Sequence, residues 1–137
     1  MAQTAPPRPL PEFERILVRA TNWVGDAVMC LPALRALRER YRKAQITILA
    51  RPWVADLYRR EPFADAVILL ESGRGAKDLA GKWAAARGLR GGGFDCALLL
   101  QNAFEAALIA WLARIPVRIG YDRDGRGWLL THAVAAP

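Results

Sequence analysis

Histidine occurs once in the 137 residues, at His132, and cysteine twice, at Cys30 and Cys96. A serine or cysteine nucleophile would have no well-placed imidazole base, and zinc would lack its usual ligands, so hydrolase and metalloenzyme readings lose most of their weight. Neither cysteine belongs to a C-x-x-C pair, and both sit among apolar residues, which fits a reduced, cytoplasmic, metal-free protein. No apolar run approaches the length of about 18 residues that a membrane-spanning helix needs. The opening segment Met1–Pro11 is rich in proline and lacks the hydrophobic stretch of a secretory signal. We therefore read residues 1–14 as a disordered proline-rich tail and 15–137 as a single folded domain.

Two nucleotide-binding patterns are also missing. Gly-x-Gly-x-x-Gly does not follow the first apolar strand, where Trp23 stands instead, and a bulky indole there would block the close approach of a pyrophosphate. There is no Gly-x-x-x-x-Gly-Lys loop, and the Gly91–Gly93 triplet comes after a helix and before a strand, the wrong context for phosphate binding. Simple turns account for these glycines.

What the chain does have is apolar content of 53% and a net charge of +7. The first supports a packed globule. The second, with a pI near 10.2, implies attraction to an anionic partner, whether nucleic acid, acidic lipid or phosphorylated sugar. Much of the excess lies on or after the first helix, at Arg35, Arg38, Arg40, Arg42 and Lys43, where a solvated helix face explains it equally well.

Short apolar runs alternate with helical periodicity along the chain. Arg15–Ala20, Ile46–Ala50, Ala66–Leu70, Phe94–Leu100 and Val117–Gly120 read as strands. Val28, Leu31, Leu34, Leu37 and Tyr41 recur at helical spacing, and Pro32 predicts that regular helix begins nearer Cys30 than Asp26. Pro52 opens a second helix to about Arg60. Leu79, Trp83, Ala86 and Leu89 mark a third, and Phe104, Leu108, Trp111 and Ile115 a fourth. Near-continuous apolar strands alternating with helices mean a doubly wound, Rossmann-like α/β domain with a parallel sheet covered on both faces.

In such a sheet ligands bind beyond the carboxyl ends of the strands. The loops at that end carry Asn22–Asp26, Arg51 with Trp53, Ser72–Lys77, Gln101–Phe104 and Tyr121–Arg126. Asp26 stands where the first strand hands over to the first helix. It suits two roles, a helix-start hydrogen-bond acceptor or a general base facing a ligand. Arg74, Lys77, Arg123 and Arg126 are candidates for binding phosphates and acidic groups through fork-like contacts. Asn22, Trp23, Gly25, Asn102 and Tyr121 are candidates for shaping a ligand site. Trp23 could equally pack under the turn, and Asn102 could cap the helix at Phe104.

The segments Ile16-Leu17-Val18, Asn22-Trp23-Val24-Gly25-Asp26, Leu31-Pro32-Ala33-Leu34, Gln101-Asn102-Ala103-Phe104 and Ile115-Pro116-Val117-Arg118-Ile119-Gly120-Tyr121 resemble the bacterial lipopolysaccharide heptosyltransferases. Trp23 before Val24-Gly25-Asp26, and Asn102-x-Phe104, are more similar to the second type than to the first. The resemblance runs from about Arg15 to the end of the chain. It implies the amino-terminal, acceptor-side half of a two-domain GT-B glycosyltransferase, with the carboxyl-terminal donor half absent. It further implies heptose transfer from ADP-heptose to the lipopolysaccharide inner core, by inverting displacement without metal or cofactor, with Asp26 as base. Contact with the cytoplasmic face of the inner membrane, and no nucleic acid partner, go with that reading. A different class remains open on the residues alone: a basic Rossmann-like module that binds nucleic acid or another polyanion without catalysis.

Overall fold

The computed structural model describes residues 12–70, 79–122 and 125–135. Its strands are β1 (Arg15–Arg19), β2 (Gln45–Ala50), β3 (Ala66–Leu69), β4 (Cys96–Leu99), β5 (Val117–Tyr121) and β6 (His132–Val134). Its helices are α1 (Val24–Arg40), α2 (Pro52–Arg59), α3 (Leu79–Arg90) and α4 (Phe104–Leu112), with a 3₁₀ turn at Gly127–Leu129. The six strands form one parallel sheet in the order β3-β2-β1-β4-β5-β6. The winding direction reverses between β1 and β4, which places a topological switch at the centre of the sheet.

Strand periodicity sorts the core into two layers. Ile16, Val18, Ile46 and Ile48 face α1 and α2, packing with Ala27, Leu31, Leu34, Val54 and Tyr58. Leu17, Leu49, Ala97 and Leu99 face α3 and α4, packing with Ala86, Leu89, Ala107, Ile109 and Ala113. Both faces of the central strands are therefore dry, as their mostly apolar sequences require. The edge departs from this pattern: Ile68 and Leu69 of β3 are half-exposed. The three-residue β6, too short and too exposed to register as an apolar run, pairs with β5 at the opposite edge.

Two sequence expectations change. Helix α1 begins at Val24 and carries Pro32 in its interior, so Asp26 lies within its first turn. Burial of Ala27, Leu31 and Leu34 on one face holds the helix together through the proline. Pro32 itself is exposed, and the Val28 carbonyl it leaves unpaired is on a residue open to water. The packed domain also begins ahead of Arg15. Phe13 is buried against Tyr41, with ring centroids 5.5 Å apart, and the Glu14 amide donates to the Asp95 carboxylate at 2.8 Å. Pro52 stands at the start of α2 as expected, with Arg51 as the capping residue.

Candidate functional site

The site is built on the turn joining β1 to α1. Arg19, the last residue of β1, interrupts an apolar run, and its side chain is buried. One guanidinium nitrogen donates to the Asn22 side-chain oxygen at 2.9 Å, and another donates to the Ala20 carbonyl. Burial, and next the neighbouring Arg51 charge, lower the Arg19 pKa to about 10. Asn22 is held from two further elements. Its amide donates to the Gln101 side-chain oxygen at 3.2 Å, and its carbonyl accepts from the Trp53 indole N–H at 2.6 Å. The connections after β1, β2 and β4 thus converge on one residue.

Above this turn lies a cleft of about 270 Å³ lined by Asn22, Trp23, Arg51, Trp53, Gln101 and Glu105. It opens at the carboxyl end of the sheet, beside the switch between β1 and β4. Trp23 and Trp53 present exposed indoles, 66% and 49% accessible, as apolar walls. The floor is charged: Glu105 lies 3.5 Å from Arg51 and 3.6 Å from Lys82. Both cations are buried, and Arg51 also donates to the Leu70 carbonyl at 3.3 Å. Among the described residues, three buried cations, Arg19 included, gather here near the Glu105 carboxylate.

Asp26 is exposed in the first turn of α1, three residues beyond Trp23. No side-chain cap closes the start of α1, so Asp26 is not a capping acceptor in this structure. Gly25 is open as well, since an added Cβ would meet no atom within 4 Å. Trp23 stands free of the core, which removes the packing role considered for it. Asn102 is exposed and does not cap α4, whose capping residue is Ala103. Tyr121 ends β5 with its side chain 40% accessible.

Arg126 requires a correction. Expected on a ligand-facing loop, it is fully buried. Its guanidinium donates to the carbonyls of Tyr121 at 2.9 Å, Gln101 at 2.6 Å and Ala103 at 3.2 Å. A cation committed to backbone carbonyls inside the fold staples the loop after β5 to the loop after β4 and is shielded from ligand. Gly120 permits this approach, because a Cβ there would lie 2.9 Å from an Arg126 nitrogen. Arg74, Lys77 and Arg123 lie outside the described residues.

Sequence reasoning placed Arg51, Trp53 and Gln101 on rim loops but did not select them as site residues, and it passed over Arg19, Lys82 and Glu105. Two signals were present. Arg19 breaks an apolar strand at its carboxyl end, and Arg51 follows β2 directly, as Ala20 follows β1. The pairing of Glu105 with Lys82 joins two helices and leaves no local pattern.

This fold and this switch-point cleft define a Rossmann-like domain of the kind found in GT-B glycosyltransferases. The model of glycosyltransferase family 9 (heptosyltransferase) matches residues 82–137. Lipopolysaccharide heptosyltransferase 2 of Salmonella typhimurium is 35% identical over 87% of this chain and 34% of its own length. The protein of the same name from Escherichia coli K12 is 34% identical over 85% of this chain and 33% of its own. The structure of E. coli ADP-heptose lps heptosyltransferase II superposes with a TM-score of 0.79 at 31% identity, over 90% of this chain and 35% of that one. A family 9 glycosyl transferase from Veillonella parvula, 20% identical, shares the fold with a TM-score of 0.80, over 90% of this chain and 36% of that one. Over the part that it covers, the chain is thus similar to the heptosyltransferases of glycosyltransferase family 9, and it spans about a third of the length of the relatives it matches.

Proposed function

We propose that this chain is the acceptor-side half of a heptosyltransferase that moves heptose from ADP-heptose to the lipopolysaccharide inner core at the cytoplasmic face of the inner membrane. The observation that carries the reading is the exposed Asp26 carboxylate, in a helix turn whose lead-in residues Asn22 and Trp23 line the cleft. In the proposed reaction an acceptor hydroxyl oxygen attacks the anomeric carbon as the bond to ADP breaks and ADP leaves with the electron pair. The configuration inverts, and the hydroxyl proton passes to Asp26. One carboxylate suffices, and the chemistry requires no metal or other cofactor. Trp23 and Trp53 offer faces for a sugar ring. A donor domain beyond this chain supplies the nucleotide sugar.

The test is Asp26→Asn in the complete two-domain enzyme, with fold and acceptor binding checked separately. Loss of turnover with binding retained is expected. Turnover within a few-fold of wild type removes Asp26 as the base.

A further inference from the structure

Most arginines on the α1/α2 side of this domain have a carboxylate partner, Arg42 and Arg60 excepted, whereas those on the outer surface of the α3/α4 side have none among the described residues. On the α1/α2 side Arg35 pairs with Glu61, Arg38 with Asp65, Arg40 with Glu12 and Arg59 with Asp56. On the α3/α4 side Arg87, Arg90, Arg114 and Arg118 make no ion pair with a described residue. The reason is compositional. From Leu79 to Gly120 the acids are Asp95 and Glu105. Asp95 accepts from the Glu14 and Arg15 amides, and Glu105 faces Arg51 and Lys82 in the cleft. No carboxylate of this stretch is left for the outer surface.

The same surface carries three exposed tryptophans: Trp83 (43%), Trp111 (46%) and Trp128 (69%). Trp83, Arg87 and Arg90 recur at i, i+4 and i+7 on one stripe of α3. Trp128 bridges Phe104 and Trp111 along α4, with ring centroids 6.2 and 6.4 Å away. Trp83, Arg90, Trp111, Arg114 and Arg118 share an open groove of about 470 Å³. The Arg90 and Arg118 side chains are braced by carbonyls, Arg90 on Leu112 and Arg118 on Leu129 and Ile115, so these two charges are held in place.

We infer that the Trp83–Trp111–Trp128 face, with its four arginines, docks the domain on an anionic lipid surface. Indoles partition to the headgroup region of a bilayer, and guanidinium groups pair with lipid phosphates, so this composition fits that partner on both counts. A nucleic acid fits less well, because the rings lie against one another and under Arg90, 4.9 Å from the Trp83 centroid, rather than standing as free platforms for bases. The inference deepens the membrane contact in the proposed function by naming the face. It is read without turnover, so its failure leaves the transfer reading standing, and the reverse also holds.

The test measures sedimentation of the 137-residue chain with phosphatidylcholine vesicles, with and without phosphatidylglycerol. Binding only to the anionic vesicles is expected, with tryptophan emission shifted to the blue and salt weakening the association. Trp111→Ser with Trp128→Ser, and separately Arg87→Glu with Arg114→Glu, should each weaken binding by roughly tenfold or more. Arg42→Glu, on the far side, should not. The exposed arginine pair keeps the test informative should the tryptophan variant lose its fold by circular dichroism. Equal binding to both vesicle types, no binding to either, or equal loss in Arg42→Glu overturns the inference. Self-association that needs Trp111 and Trp128 but no lipid overturns it in favour of a second copy, and tighter binding to single-stranded DNA than to vesicles does so in favour of nucleic acid.

Discussion

The indole N–H of Trp53, at the start of α2, donates to the backbone carbonyl of Asn22 at 2.6 Å, tying the connection after β2 to the turn that leads into Asp26. The turn after β1 is also tied to the connection after β4 through Gln101. A turn of this kind needs such bonds, because its amides and carbonyls lie beyond the sheet ladder and before the helix ladder. Trp53→Phe keeps an apolar ring and removes the donor. A loss of about 1 kcal/mol is expected. Hydrogen exchange should show the turn amides around Asn22 opening faster while β1 and β4 stay protected. Unchanged exchange at the turn would mean that Gln101 and Arg19 hold it unaided.

Arg126 separates a structural role from a ligand-binding one. A buried guanidinium donating to three carbonyls cannot be replaced by lysine, which lacks the planar fork. Arg126→Lys and Arg126→Met should each destabilise the domain, by about 2 to 4 kcal/mol, since a lysine ammonium cannot span the carbonyls of Gln101, Ala103 and Tyr121 together and methionine donates to none of them. A denaturation curve checks this directly. An unchanged midpoint in either variant contradicts the stapling role.

The architecture was legible because each central strand is buried on both faces and therefore mostly apolar. The expected α/β alternation and the cluster of loops at the carboxyl ends rest on that fact, whereas the start of α2 was read from Pro52, whose fixed φ suits a first helical position. The start of α1 was misjudged because Pro32 is a strong local signal, and only the tertiary burial of Ala27 and Leu34 outweighs it. Arg126 was misjudged for a related reason. A loop arginine beside glycines reads as solvated until the carbonyls of a distant loop, 25 and 23 residues away in sequence, are seen to face it. The cleft floor was illegible because Glu105 meets Arg51 and Lys82 across three separate elements.

Gly25 tests whether the turn is shaped for a ligand or for the fold. An added Cβ meets no atom within 4 Å, and the residue lies in the first turn of α1. Gly25→Ala should therefore raise stability slightly, by about 0.5 to 1 kcal/mol, through lost freedom in the unfolded chain. In the proposed two-domain heptosyltransferase it should raise the acceptor KM if the open space beside Asp26 receives the acceptor. A stabilised variant with unchanged KM would place the acceptor elsewhere on the rim.

Cys96 gives a pH dependence whose sign follows from its burial. It is 2% exposed at the start of β4, and burial, then the Asp95 charge, push its pKa from 9.0 up to about 12. The folded state therefore holds the thiol proton where the unfolded chain releases it. The stabilisation is complete below pH 9.0 and fades as pH rises through 12. Comparison with Cys96→Ala isolates it from other groups that titrate in the same range. Between pH 8 and 10.5 wild type should lose about 1 to 2 kcal/mol more than the variant. Thiol labelling at pH 8 should reach Cys96 only on unfolding, whereas the partly exposed Cys30 reacts in the folded chain. Parallel pH profiles, or rapid native-state labelling of Cys96, would show that β4 opens far more readily than its packing in the sheet centre implies.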